Sequence, residues 1–135
     1  GEIAERSGSQ VVQINHLDDA EKRIEHDKIL DIATGQPKQF QNVLYAIILI
    51  SQQKGFFFTG EIYDIYKKIC QKTNLSILTQ RRVSDIIAEL DMLGIINAKI
   101  ISKGRYGRTR EVSLSISDGI IIKLREVLEK AIGIG

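Results

Sequence analysis

Lys103-Gly-Arg-Tyr-Gly-Arg-Thr-Arg110 places four cations, two glycines and one aromatic between two runs rich in apolar residues. Ile100-Ile101-Ser102 leads in, and Glu111-Val-Ser-Leu-Ser-Ile116 leads out with a polar/apolar alternation that suits a half-buried strand. The stretch therefore reads as the tip of a basic β-hairpin. Lys103, Arg105, Arg108 and Arg110 have no acid among them, while Gly104 and Gly107 allow close backbone approach. Such a tip suits a phosphate lattice or a narrow minor groove, where guanidinium groups neutralise concentrated negative potential. The bland counterpart is a solvated hairpin made basic for solubility.

The segment before the hairpin favours the first reading. Thr79-Gln-Arg-Arg-Val-Ser-Asp-Ile-Ile-Ala-Glu-Leu-Asp-Met-Leu-Gly94 opens on a hydroxyl that can cap free N–H groups and ends on a glycine suited to a left-handed terminus. Val83, Ile86, Ile87, Leu90 and Leu93 recur at helical spacing and predict one core stripe, opposite a face centred on Arg81, Asp85 and Ala88. Thr79, Gln80, Arg81, Arg82 and Ser84 fall at the start of the helix, the part that meets base edges and phosphates when a recognition helix enters a major groove. The competing reading pairs Arg81 with Asp85 as an i, i+4 surface bridge. A cation-led helix followed at once by a strand and a basic hairpin is the order of a winged helix-turn-helix.

Composition sets the outer limits. With 135 residues and 43% hydrophobic content, the chain can hold one domain of about 100 residues plus an appendage. Its formal net charge is only +2, so a nucleic-acid surface must arise from charge segregation. Residues 99–110 hold five cations and no acid, whereas Asp18, Asp19, Glu21, Glu25, Asp27 and Asp31 make the front acidic. Cys70 is alone, which excludes an internal disulfide and a Cys-based zinc site, and its spacing from Tyr66 and Ile69 makes it a small packed group. No apolar run is long enough for a membrane span, and the start lacks a signal-peptide pattern. A soluble protein of the cytoplasm, associated with the nucleoid and with no membrane partner, is expected.

Along the chain, Ile3 to Ser7 reads as the last turns of a helix begun upstream, and Asn15 or Asp18 could cap a charged helix running to Thr34. Gly35-Gln36-Pro37 marks a boundary, with Pro37 suited to the first position of the next helix. That helix is expected from Gln39 to Gln53. Its centre, Val43 to Ile50, is apolar on nearly every face and predicts a buried central helix. Phe56-Phe57-Phe58 is a short strand candidate, read as core and sheet, and Thr59 is expected to cap a helix through Thr73 with Ile62, Ile65, Tyr66 and Ile69 inward. Leu75 to Leu78 bridges to the recognition helix. After the hairpin, Ser117 or Asp118 caps a last helix with Ile121, Leu124, Leu128 and Ala131 on one face. The predicted class is mainly α with a small sheet, an α+β fold.

Thr59-Gly-Glu-Ile-Tyr63 with Tyr66, Leu78 to Leu90, Gly94-Ile-Ile96 and Gly104-Arg-Tyr-Gly-Arg-Thr109 resemble the C-terminal region of archaeal replication initiators of the origin recognition complex and cell-division-control family. The front of the chain is similar to the end of the helical lid of that family's AAA+ ATPase module. The resemblance implies a lid remnant over residues 1–35 and a winged-helix domain over 36–135. It implies binding of double-stranded origin DNA, with the helix from Thr79 in the major groove and the Gly104 to Arg108 wing at the minor groove. The phosphate-loop pattern G-x-x-x-x-G-K-S/T does not occur in this sequence. The resemblance therefore carries no cofactor onto these residues; ATP or ADP and magnesium are expected only in an ATPase portion.

Catalysis is not expected from the residues themselves. His16 and His26 have no cysteine nearby and no metal-ligand spacing, and the i, i+4 carboxylates Glu21 with Glu25 and Asp27 with Asp31 suit a solvated face. Two binding classes remain. In one, Arg81, Arg82, Lys103, Arg105, Arg108 and Arg110 contact DNA, Thr79, Gln80 and Ser84 add polar contacts, and Tyr106 packs on sugar or stiffens the tip. In the other, the domain is a protein platform for a replicative helicase subunit or a second initiator copy. Cations on both helix and wing favour DNA.

Overall fold

A computed structural model describes residues 28–102 and 108–134, apart from the side chains of 102, 108 and 109. The element order is α1 (residues 28–34), α2 (Lys38–Ser51), β1 (Phe57–Phe58), α3 (Thr59–Thr73), α4 (Gln80–Met92), β2 (Ile96–Ser102), β3 (Arg108–Leu114) and α5 (Asp118–Ile132). This is the expected α+β order. The front helix before residue 28, His16, His26, Glu21, Glu25 and Asp27 lie outside the described residues.

The core forms around α2, whose residues 41–48 and Ile50 are all buried. A helix apolar on every face can only be covered from several sides, and α2 packs against α3, α4, α5 and the third strand. Its buried polar residues hold neighbours in place. The Gln41 amide donates to the carbonyls of Ala33 and Thr34 at 3.1 and 3.2 Å, satisfying the end of α1. Asn42 donates to the Thr73 hydroxyl at 3.1 Å and to the Cys70 sulfur at 3.6 Å. Cys70 is fully buried, as its spacing predicted.

The sheet has the order β1-β3-β2, antiparallel throughout. Ile96 pairs with Leu114, Ala98 with Val112 and Ile100 with Arg110, so these residues share one face. Ile96 and Val112 are buried, while Ile100 is 59% exposed. The same face thus runs from core to open surface.

Several expectations need correction. The strands are longer than read: Arg108 pairs with Ser102 and Arg110 with Ile100, so both arginines belong to the ladder and not to the tip, because the β-branched Ile100, Ile101 and Thr109 favour extended pairing. At the other end the strand stops at Leu114, before Ile116. Thr59 is the first residue of α3 and not its cap; Phe58 holds the cap position in extended geometry, and the Glu61 carboxylate accepts its N–H at 3.1 Å. Pro37 precedes α2 instead of opening it. Phe56 is 56% exposed, leaving Phe57 as the buried member of the triplet. On α5 the buried stripe is Leu124, Leu128 and Ile132, with Ala131 and Ile121 half-buried, and Ser117 caps without a side-chain bond.

Candidate nucleic-acid interface

Helix α4 is built as its sequence predicts at both ends. The Thr79 hydroxyl accepts the N–H of Arg82 at 3.3 Å, an N-cap bond that fixes where the helix starts. At the other end Gly94 has φ +82°, the N–H of Gly94 bonds the Asp91 carbonyl at 3.0 Å, and the N–H of Ile95 returns to the Leu90 carbonyl at 3.3 Å. This paired closure requires a left-handed residue, which glycine supplies without a Cβ clash. It also turns the chain so that Ile95 is buried in place of Leu93, which sits exposed. Val83, Ile86, Ile87 and Leu90 form the inward stripe.

The turn that precedes α4 is gripped from two helices. Tyr66, fully buried on α3, accepts the Leu78 N–H at 3.1 Å and donates its hydroxyl proton to the Gln39 amide oxygen on α2. Tyr63 donates to the Leu78 carbonyl at 2.8 Å, and Gln39 donates to the Ser76 carbonyl at 2.7 Å. The two tyrosine rings stack with centroids 6.0 Å apart. Burial pushes the Tyr66 phenol up to about 12, so the hydroxyl is protonated and available as donor across the neutral range. Both backbone groups of Leu78, one residue before the cap, are thereby fixed. Sequence reading placed Tyr66 in an apolar stripe and missed this polar clamp, whose partners lie 12 to 27 residues away.

The outer surface of α4 is open. Thr79, Gln80, Arg81, Arg82 and Asp85 are exposed and Ser84 is half-buried. A groove of about 390 Å³ separates this face from the hairpin and is lined by Thr59, Gln80, Arg81, Ser84, Asp85, Ile100 and Arg110. Four residues expected in the interface, Gln80, Arg81, Ser84 and Arg110, therefore meet around one groove. Arg82 lies on the other flank of the helix, in a second groove of about 470 Å³ with Pro37, Gln39, Phe40, Leu78, Asp85, Ile86 and Glu89. Arg81 and Asp85 do not form the i, i+4 bridge of the competing reading, and among the described residues Arg81, Arg82 and Arg110 take part in no ion pair. Arg108 is placed by its backbone alone, and Lys103, Gly104, Arg105, Tyr106 and Gly107 lie outside the described residues. Among the described residues no group of acids, histidines and cysteine could hold a metal ion, and no helix is long and apolar enough to cross a membrane.

A three-stranded antiparallel sheet whose hairpin flanks the second helix of a helix-turn-helix defines a winged-helix domain. Residues 31–123 match the family described as CDC6, C terminal winged helix domain, and the chain belongs to that family. It is 46% identical over 125 residues to ORC1-type DNA replication protein 1 of Archaeoglobus fulgidus, covering 93% of this chain and 31% of that protein. It is also 46% identical over 129 residues to the ORC1-type DNA replication protein of Pyrococcus furiosus, covering 95% and 30%. The chain thus spans about a third of these relatives. Among solved structures it is similar to the Aeropyrum pernix ORC1 protein in complex with DNA, at a TM-score of 0.76 and 37% identity over 86% of this chain and 30% of that one. These likenesses support a role in DNA replication.

Proposed function

We propose that this domain binds double-stranded DNA at replication origins, as the C-terminal winged-helix part of an archaeal replication initiator. The observation that carries the proposal is the groove in which Arg81 of α4 and Arg110 of β3 converge. Two structural elements present cations to one concavity, and although Asp85 also lines it, neither cation forms an ion pair among the described residues. A duplex groove edge supplies what that concavity lacks, a line of phosphates. Helix α4 enters the major groove with Gln80 and Ser84 toward base edges and Arg81 and Arg82 toward the phosphates on its two flanks, while its N-terminal dipole adds a partial positive charge. The hairpin extends the contact to the minor groove through Lys103, Arg105 and Arg108, with Gly104 and Gly107 permitting close approach and Tyr106 packing on sugar. The solved Aeropyrum relative in complex with DNA supports the reading.

In the same proposal, residues 1–35 belong to the end of the AAA+ lid and residues 36–135 to the DNA-binding domain. ATP or ADP and magnesium act in the ATPase portion of the whole initiator, and the winged domain contributes recognition without catalysis. A titration against duplex DNA across a range of salt concentrations tests this. About four to six phosphate contacts give a slope of log K on log salt of roughly −4 to −5. A slope near zero, or no binding at low salt, transfers the domain to the protein-platform class, with a helicase subunit or another initiator copy as partner.

A further inference from the structure

An acid stands at the centre of the proposed DNA face. Asp85 is exposed and lines both grooves of α4, the one shared with Arg81, Ser84 and Arg110 and the one shared with Arg82, Ile86 and Glu89. Arg81 reaches only the first and Arg82 only the second, so Asp85 marks the crest between them. Among the described residues its carboxylate has no hydrogen bond and no ion pair, hence nothing within the described fold accounts for it.

We infer that Asp85 reads an exocyclic base amine in the major groove, cytosine N4 first. The inference rests on the DNA-binding reading and adds the identity of a recognised group. The crest of a helix lying in a major groove faces the base edges, while its flanks face the phosphate rims. A carboxylate on that crest is repelled by both rims and weakens binding to any duplex that offers it no donor. The base donors in the major groove are the amines of cytosine and adenine. Adenine N6 stands beside the acceptor N7, which repels the second carboxylate oxygen, whereas cytosine N4 has an uncharged C–H edge beside it. Asp85 thus lowers affinity for mismatched duplex and restores it at a matching cytosine, and Arg81, one turn earlier, supplies attraction without demanding that base.

The test is selection from a pool of duplexes with a randomised core, using the unaltered chain, Asp85→Ala and Asp85→Asn, followed by direct titration of selected and unselected DNA. The unaltered chain should enrich one position for cytosine by about 5- to 100-fold. Asp85→Ala should lose the preference at that position alone while binding the unselected pool about threefold to tenfold more tightly, as one repulsive charge is removed. Asp85→Asn should move the preference to adenine, whose N6 and N7 match an amide. Enrichment of adenine by the unaltered chain, lost in Asp85→Ala, supports amine reading with the other base as its source. Identical preferences in all three proteins, or a uniform fall in affinity for Asp85→Ala, overturn the inference and leave DNA binding standing. Failure of the unaltered chain to bind the pool at low salt overturns the DNA reading and this inference together.

Discussion

Arg125 and Arg81 are both helical arginines of one small domain, and they are treated in opposite ways. Arg125 on α5 donates to Glu129 at 3.3 Å and to the Gln52 side chain at 2.8 Å, while the Tyr45 hydroxyl from α2 donates to the same glutamate at 2.7 Å. Arg81 on α4 is exposed and takes part in no ion pair among the described residues. On the α2–α5 side every charge of the network is used within the fold, so that side is structural. On the α4–hairpin side the backbone is held with care, by the Thr79 cap, the Gly94 closure and the tyrosine clamp, yet the outward charges are left over. A surface whose frame is fixed and whose charges are unspent is arranged for something outside the chain.

The sharpest way to break that contrast is to loosen the frame. Tyr66→Phe removes the hydroxyl that joins Gln39 to the Leu78 N–H and leaves both groups without that partner. It should lower unfolding free energy by about 1–3 kcal/mol in urea titration, with the loss felt at the start of α4. The folded phenol titrates near 12, above its ordinary value of 10. Its contribution is therefore complete below pH about 10 and disappears as pH rises toward 12. Thermal melts from pH 8 to 12 should fall more steeply for the unaltered chain than for Tyr66→Phe; parallel curves would show that the clamp does not hold the folded state.

A smaller effect is expected on the opposite side. The Tyr45 hydroxyl bond, followed by Arg125, holds the Glu129 carboxyl below the usual glutamate range. A depressed acid stabilises the fold above its unfolded value, near pH 4.3, and that part is lost as pH falls through the folded value. Glu129→Gln should flatten the acid limb of the stability curve while leaving DNA binding unchanged. Weaker DNA binding in this variant would mean that the α2–α5 network reaches the interface, and the division of the molecule into two sides would fail.

The limits of α4 were legible because Thr79 and Gly94 act locally: a hydroxyl cap and a left-handed glycine need only neighbours along the chain. The central helix was legible for a similar reason, since an apolar run such as Val43 to Ile50 has no solvent face at any rotation. Long-range polar contacts were not. Tyr66 satisfies the spacing of an apolar stripe, and nothing in its neighbourhood tells that its hydroxyl meets Gln39 and Leu78. Arg108 and Arg110 read as a loop because of their charge, but ladder pairing opposite Ser102 and Ile100 overrides composition. Leu93 read as core because the helical period was carried one residue too far, into the turn that Gly94 closes. Of the interface residues read from sequence, Gln80, Arg81, Ser84 and Arg110 line one groove, while Arg82 lies on the other flank of α4.

The most direct test of that convergence is the joint variant Arg81→Ala with Arg110→Ala, measured for stability and for salt-dependent duplex binding in the same preparation. Both side chains are free of ion pairs within the described fold, so unfolding free energy should stay within about 0.5 kcal/mol of the unaltered chain. The slope of log K on log salt should flatten by roughly two units, about 0.9 for each lost phosphate contact. A variant that remains as stable but binds duplex DNA with unchanged affinity and unchanged slope would contradict the account, because the groove between α4 and the hairpin would then not be where DNA is held.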